Sequence, residues 1–238
     1  MSLIEFAAAT LAVILGSVVQ VTSGVGGGFV IVPILAWVDL SLVPAPMIFA
    51  SLSLSSLMAF RERLAIDWEH IPITLISLIP GSLFGGYILS SVPANNLGIV
   101  FGTVILLGIL ITISGIEIRR TRTTAAVSGA LSGAMGTSSG IGAPLLALFY
   151  QKGKGPQVRA TLAVLYTGAS ILILIILYGF DHFSVDDVRS GAMLMPGFLI
   201  GYWIANHFTA HIDRAGTRVA VLCVSGAAAI ALITRSLG

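Results

Sequence analysis

The amino-acid sequence predicts an all-α polytopic membrane protein built from two inverted repeats. Of its 238 residues, 56% are hydrophobic and only 9% are charged, whereas a soluble domain carries about 25% charged residues. The few charges are unevenly placed, so that long apolar stretches contain no Asp, Glu, Lys or Arg. These stretches are residues 6–38, 40–60, 70–116, 123–151, 160–180, 190–212 and 219–234. Charge-free apolar stretches of this length are typical of membrane-spanning helices.

The charge balance and the cysteine content exclude several other classes of protein. The formal net charge is +2 and the chain has no basic tract, so we expect no nucleic-acid partner. Cys223 is the single cysteine and cannot form an internal disulfide. No cluster of Cys and His has the spacing of a metal site. We therefore expect no metal and no cofactor, and the bilayer as the surroundings of the chain.

The chain divides into two halves that carry the same landmarks in the same order. The landmarks are glycine-rich breaks at 23–28 and 139–144, prolines at 46 and 156, and Pro-Gly-x-x-x-Gly signatures at 80–85 and 196–201. Gly24 and Gly140 each precede the proline of their signature by 56 residues. This matched spacing predicts two membrane repeats, residues 1–118 and 119–238, an arrangement common in transporters.

The glycine-rich breaks allow two interpretations. Residues 6–38 would form a straight helix about 50 Å long, which exceeds a hydrocarbon core of roughly 30 Å. Either the segment is one long kinked span, or it is a hairpin whose tip lies inside the membrane. With hairpins, ten of the twelve Lys and Arg residues fall on one side, and only Arg189 and Arg235 on the other. The positive-inside rule therefore favours hairpins, with the basic loops on the cytoplasmic side of the inner membrane.

The loops of the two halves differ in charge, which predicts that the halves are inverted. Loop 61–63 is basic, while its counterpart 181–189 carries three aspartates. Loops 39–45 and 92–96 have no Lys or Arg, while their counterparts are basic. Equivalent loops of opposite character belong on opposite sides of the membrane. We thus expect each half to contain one broken, re-entrant hairpin and three transmembrane helices, with both termini outside the cytoplasm.

Several of these landmarks resemble the TauE/SafE family of sulfite exporters and related permeases. In the first half they are Gly-x-Gly-Gly-Gly at 24–28 with Pro33 five residues later, Ala-Ile-Asp-Trp at 65–68, and Pro-Gly at 80–81. In the second half the run at 140–146, Gly-x-Gly-x-Pro-Leu-Leu, is similar to the first break. The resemblance extends over nearly the whole chain. It implies a membrane carrier of sulfite, organosulfonates or other organosulfur anions.

The second half departs from this pattern at two places. Ala143 stands where the first half has a glycine, and Phe183-Ser184 occupies the place of Asp67-Trp68. The family is diverse, so the resemblance implies the class of substrate and not one compound.

The two breaks also predict an anion site from physical chemistry alone. A short apolar segment follows each break, and its N-terminus would carry about half a positive charge from the helix dipole. Backbone N–H groups at such a terminus bind anions without any Lys or Arg. The predicted donors are the glycines and the neighbouring hydroxyls of both breaks: Thr22, Ser23, Gly24, Gly26, Gly27, Gly28, Thr137, Ser138, Ser139, Gly140 and Gly142.

Four further residues complete the predicted substrate site. Ser51 and Thr161 are repeat equivalents, and Gln20 is the one amide inside a long apolar run. Arg159 would attract anions towards the mouth of the site. A wider set of hydroxyls on the same helices comprises Ser53, Ser55, Ser56, Tyr166, Thr167 and Ser170. The alternative interpretation is structural: serine and threonine often bond to the preceding turn, and an arginine adds to the cytoplasmic charge.

Two other functions compete with a carrier. The segment from Gly136 to Gly140 matches Gly-x-Ser-x-Gly, the nucleophile motif of α/β-hydrolases, with Ser138 at its centre. That motif needs a strand-turn-helix context and a histidine with an acidic partner, and the sequence provides an apolar helix break instead. A passive anion channel is the stronger alternative, because broken hairpins also form pores. We therefore predict a transporter and no enzyme.

Overall fold

The computed structural model describes residues 2–151, 153–208 and 214–237, and every regular element among them is a helix. The α-helices are α1 (Leu3–Ser23), α2 (Gly27–Val38), α3 (Ala45–Arg61), α4 (Ile71–Ser91), α5 (Leu97–Ile113), α6 (Arg122–Ser139), α7 (Ala143–Tyr150), α8 (Gly155–Gly179), α9 (Val185–Phe208) and α10 (Arg214–Leu237). The predicted all-α class is confirmed. Lys152, one of the residues that we assign to a basic loop, lies outside the described residues.

Four helices are long and apolar enough to cross a membrane. They cover Leu3–Ser23, Ile71–Ser91, Ala94–Ile113 and Gly155–Gly179, and shorter apolar helices cover Gly27–Val38, Ala45–Arg61 and Val221–Leu237. The expected membrane protein is confirmed. Helix α1, a predicted hairpin arm, has the length of a full span.

The first glycine-rich break reverses the direction of the chain. Gly24 caps α1 with φ +80°, and Gly26 starts α2 with φ +97°, a left-handed conformation that suits glycine. The reversal brings Gly16 of α1 against α2, where an added Cβ atom would lie 2.8 Å from the carbonyl oxygen of Gly27 and 2.3 Å from Cγ1 of Ile31. Because later residues of α2 face earlier residues of α1, the two helices are antiparallel.

The second break is built in the same way. Gly140 caps α6 with φ +80°, and its N–H donates to the carbonyl of Gly136 at 2.8 Å. The hydroxyl of Ser132, two turns before the end of α6, donates to the carbonyl of Gly142 at the start of α7. Helices α6 and α7 therefore fold back on each other as α1 and α2 do. Both segments are hairpins and not kinked spans.

Glycines let α4 and α6 pack in close contact and in the same direction. An added Cβ atom at Gly81 would lie 1.8 Å from the carbonyl oxygen of Ala130, and one at Gly85 would lie 2.5 Å from that of Ala134. Small residues at such an interface allow the backbones of membrane helices to approach. A step of four residues along α4, from Gly81 to Gly85, corresponds to a step of four residues in the same direction along α6, from Ala130 to Ala134. The two helices are therefore parallel.

Helices α9 and α1, which are the repeat equivalents of α4 and α6, also pack closely through glycines. An added Cβ atom at Gly197 would lie 3.0 Å from Cγ1 of Val13, and one at Gly201 would lie 2.5 Å from Cβ of Ser17. This pair is also parallel. In terms of the two predicted repeats, the fourth helix of each half packs along the first hairpin arm of the other half.

Helices α5 and α10, the last helices of the two predicted repeats, pack in opposite directions. An added Cβ atom at Gly98 would lie 2.3 Å from the hydroxyl of Ser236, and one at Gly102 would lie 2.5 Å from Cγ1 of Ile233. Near the other end of α5, Ile109 faces Gly226. An antiparallel pair of equivalent helices is the arrangement that an inverted repeat requires, and the division at residue 118 stays a prediction.

Candidate functional site

The tips of the two hairpins meet inside the bundle. An added Cβ atom at Gly28 would lie 3.6 Å from Cγ1 of Ile141 and 3.8 Å from the carbonyl oxygen of Gly140. Each tip also leans on the first turns of a helix from the other half. Gly24 lies against the side chain of Arg159 in α8, and Gly140 lies against Met47 in α3.

A cavity of about 120 Å³ lies between the tips and helices α3 and α8. One water molecule needs roughly 10–15 Å³ of such space, so the cavity has room for a small anion. Its polar lining consists of Gln20, Gly26, Gly27, Gly28, Ser51, Ser55, Ser132, Gly136, Gly140, Gly142, Tyr166 and Ser170. Its apolar lining includes Phe29, Ile31, Met47, Ile48, Leu54, Met58, Ile141, Ile173 and Phe198. None of the described residues that line it is charged.

Five glycines of the two breaks line the cavity, and so does Gln20. The glycines are Gly26, Gly27, Gly28, Gly140 and Gly142. The glycines at 26–28 and 142 lie at the N-termini of α2 and α7, whereas Gln20 belongs to α1 and Gly140 caps α6. The first N–H groups of a helix have no partner within the helix, and in α2 the N–H of Gly27 is bonded to Gln20. The N-termini of two helices from opposite halves therefore border one space.

Gln20 connects the two sides of the first break. Its Nε2 donates to the carbonyl of Gly24 at 3.3 Å, and its Oε1 accepts the N–H of Gly27 at 3.0 Å. One amide thereby satisfies a backbone acceptor at the end of α1 and a backbone donor at the start of α2. The side chain both lines the cavity and holds the break in its shape.

Tyr166 of α8 brings an unpartnered hydroxyl to the cavity. Its oxygen is buried and has no hydrogen-bond partner among the described residues, although the Gln20 side chain is close enough to interact with it. Sequence reasoning placed Tyr166 only in the wider set of hydroxyls. The signal that identifies it is helical spacing, because residues 166, 169, 170 and 173 form one face of α8 and all line the cavity.

Three serine hydroxyls of the cavity, those of Ser51, Ser55 and Ser132, donate within their own hairpin or helix. Ser51 lines the cavity, and its Oγ donates to the carbonyl of Ile48 at 2.9 Å. Ser55 donates to the carbonyl of Leu52 at 3.2 Å. These protons are engaged, so the serines present mainly oxygen acceptors to the cavity, in agreement with the structural interpretation of membrane serines.

The predicted hydroxyls beside the breaks do not line the cavity. Three of them bond to their own helix: Thr22 to Val18, Ser138 to Ala134 and Ser139 to Met135. Ser23 is exposed and bonds to Val19 and Val25. Thr137 is buried against α4, close to Gly85, and its hydroxyl has no partner among the described residues. The hydroxyl of Ser138 thus faces backbone and shows no hydrogen bond to a histidine.

Thr161 and Arg159 also lie outside the cavity lining. The hydroxyl of Thr161 accepts the N–H of Asp67 at 2.9 Å. Arg159 forms an ion pair with Glu62, in which Nε and one Nη lie 3.0 and 2.9 Å from Oε1. Both residues therefore connect α8 to the loop between α3 and α4, one turn beyond the cavity residue Met58.

Asp67, in the same loop, connects the loop to two other segments of the chain. Its carboxylate pairs with Arg120 and accepts a hydrogen bond from Gln157 at 3.4 Å. Burial by itself raises the pKa of Asp67, but hydrogen bonds from Arg120 and the Glu69 N–H, with the charges of Arg120 and His70, lower that pKa overall. The carboxylate is thus held in its charged form as part of the loop and not of the cavity.

Comparison with known proteins gives one match. Residues 9–232 match the model of the family described as "Sulfite exporter TauE/SafE". No curated protein and no solved structure matches the chain. The family match covers the tips of both hairpins and all the residues that line the cavity.

Proposed function

The chain belongs to the TauE/SafE family of sulfite exporters, and from this premise we propose that it carries a small sulfur-containing anion, such as sulfite or an organosulfonate, through the cavity between its hairpin tips. As a member of this family the chain is a membrane transporter. The observation that supports the proposed site is that the N-termini of α2 and α7 line one cavity whose described lining carries no charged side chain.

Backbone donors supply the attraction that a basic side chain supplies elsewhere. Each helix N-terminus carries about half a positive charge, and irregular backbone at membrane depth is stable where it lines a polar cavity. The head group of a sulfite or a sulfonate has three oxygens that accept hydrogen bonds. The two tips, one from each half, can therefore hold one head group between them.

The proposal includes the setting of the protein. We place the chain in the inner membrane with its basic loops in the cytoplasm, since the positive-inside rule requires that side for most of its Lys and Arg. The two repeats, residues 1–118 and 119–238, would then be related by an axis in the membrane plane, with the anion site at their interface.

Flux through liposomes tests the proposed site. We expect Gly28→Leu to abolish uptake of labelled sulfite into liposomes that contain the full chain. An added Cβ atom at Gly28 has only ordinary contacts, 3.6 Å from Ile141, so the backbone tolerates the change while the longer side chain fills the space between the tips. Gly179→Leu is the control, because nothing lies within 4 Å of a Cβ atom there.

Transport by Gly28→Leu at the wild-type rate would contradict the site. The same liposomes separate a carrier from a channel. Saturable uptake that supports counterflow identifies a carrier, whereas single-channel current across a planar bilayer identifies a passive anion channel.

A further inference from the structure

We infer that the substrate is a singly charged oxyanion with a short apolar substituent, such as an alkanesulfonate, in preference to a doubly charged anion or an aminosulfonate. The inference rests on the proposed function and narrows its class of substrate. It follows from three properties of the cavity: its lack of counter-charge, its apolar wall and the buried hydroxyl of Tyr166.

The lack of counter-charge favours one negative charge over two. The cost of moving an ion out of water rises with the square of its charge, so a dianion loses roughly four times as much solvation as a monoanion. Its attraction to the partial charges of two helix N-termini only doubles. No described lining residue is a Lys or Arg that would compensate the difference. Sulfate is therefore a poor ligand, and sulfite should bind as its singly charged form.

The apolar wall favours a substituent without a positive charge. Side chains of α3, α8 and α9 that line the cavity include Met47, Leu54, Met58, Ile173 and Phe198. The transfer of an alkyl group from water to such a wall is favourable, and more so for each CH₂ that is buried. The ammonium group of an aminosulfonate would lose its hydration there, and no Asp or Glu among the described lining residues would pair with it.

Tyr166 provides a side-chain donor for the head group. The protons of Ser51, Ser55 and Ser132 are used within the protein, while the hydroxyl of Tyr166 is buried without a partner among the described residues. A buried donor without a partner is costly, so a bound oxygen acceptor relieves that cost. Tyr166 therefore contributes to binding the oxygens of the head group.

A binding series on the full chain in lipid nanodiscs tests the substrate class. The probes are ethanesulfonate, taurine, sulfate, sulfite and propionate, and the readout is the dissociation constant from calorimetry. We expect ethanesulfonate to bind at least about tenfold more tightly than sulfate or taurine, a difference of about 1.4 kcal/mol. Equal or tighter binding of sulfate or taurine would overturn the inference and leave the proposed function standing. Absence of binding by every sulfur anion would instead contradict the proposed function.

A matched pair of variants tests the role of Tyr166. We expect Tyr166→Phe to raise the dissociation constant of ethanesulfonate about tenfold, because the variant loses a hydrogen bond to a charged group, and to leave the melting temperature unchanged. Tyr150→Phe is the control, since the hydroxyl of Tyr150 is also buried and unpartnered but does not line the cavity. Wild-type affinity of Tyr166→Phe, or an equal loss in both variants, would show that Tyr166 does not bind the head group.

Discussion

At the scale of single residues, the first break depends on Gln20. The membrane offers no water to backbone groups that a chain reversal releases, and each unsatisfied group there costs several kcal/mol. Gln20 satisfies one such group on each side of the break. In the second half Ser132 donates to the carbonyl of Gly142. Both breaks share one further bond, since Ser139 accepts the N–H of Ile141 at 3.3 Å and the equivalent Ser23 accepts that of Val25 at 3.2 Å. The two breaks thus have one serine bond in common, while Gln20 acts in the first and Ser132 in the second.

Replacement of Gln20 should therefore reduce stability as well as transport. We expect Gln20→Leu, which keeps the volume and removes both hydrogen bonds, to lower the free energy of unfolding by about 1–3 kcal/mol and to slow sulfite uptake. The measurement is thermal unfolding in detergent, followed by flux in liposomes. Ser53→Ala is the control, because Ser53 bonds only to Ala50 of its own helix and lies outside the cavity lining. Unchanged stability of Gln20→Leu would show that the amide does not hold the break.

At the scale of helices, glycine determines how closely the two halves approach. The contact of Gly81 with Ala130 is so short that no side chain fits there. Small residues in membrane helices increase van der Waals contact and allow backbones to come together. The glycines of α4 and α9 therefore position α6 and α1, and through them the tips of both hairpins. The Pro-Gly-x-x-x-Gly signatures, which the sequence presents as landmarks of a repeat, are packing surfaces in the structure.

The packing role of Gly81 predicts a large effect from one added methyl group. We expect Gly81→Ala to lower the free energy of unfolding by about 1–3 kcal/mol or more, the range for overpacking of a filled interior, since α4 and α6 must move apart. Gly179→Ala makes the same chemical change where nothing lies within 4 Å and should have little effect. Melting temperatures of the two variants in detergent provide the comparison. Equal melting temperatures would mean that α4 and α6 do not need this contact.

At the scale of the whole molecule, the two ends of the bundle are held by different chemistry at equivalent positions. Arg159 of α8 and Phe49 of α3 occupy equivalent positions, each directly before a matched pair of small residues, Ala160-Thr161 and Ala50-Ser51. Arg159 pairs with Glu62 at the end that carries loop 61–70. Phe49 packs against Phe183 at the opposite end, with ring centroids 6.2 Å apart. An ion pair therefore connects the halves at one end, and an aromatic contact connects them at the other.

The predicted inversion can be tested by the side of the membrane on which these loops lie. We expect Glu69→Cys and Asp186→Cys, each in a Cys223→Ala background, to react with a membrane-impermeant thiol reagent from opposite sides. Both positions are exposed in the structure. Glu69 lies just before the first residue of α4, while the loop that precedes Asp186 lies at the last turn of α4, where Ser90 contacts His182. Labelling of intact and permeabilised vesicles provides the measurement. Reaction of both cysteines from the same side would overturn the inverted repeat.

The sequence is sufficient to establish that the chain is helical, that it belongs in a membrane and where its hairpins break. These properties depend on local composition: on apolar runs without charge, and on glycines that accept a positive φ. The sequence likewise places the glycines at 26–28, 140 and 142 at the hairpin tips, which line the cavity in the structure. Their part in substrate binding stays a prediction.

The tertiary structure was needed to decide which side chains reach the cavity. Ser51 and Thr161 are equivalent in sequence, yet Ser51 faces the cavity, and Thr161 bonds to the backbone of Asp67 across the inter-repeat contact. Tyr166 faces the cavity because of the rotation of α8 against α3. Packing between distant segments determines how each helix is rotated and which residues form hydrogen bonds across the chain. Thr161 and Asp67, for example, are about 90 residues apart in the sequence. No local pattern of residues encodes such packing.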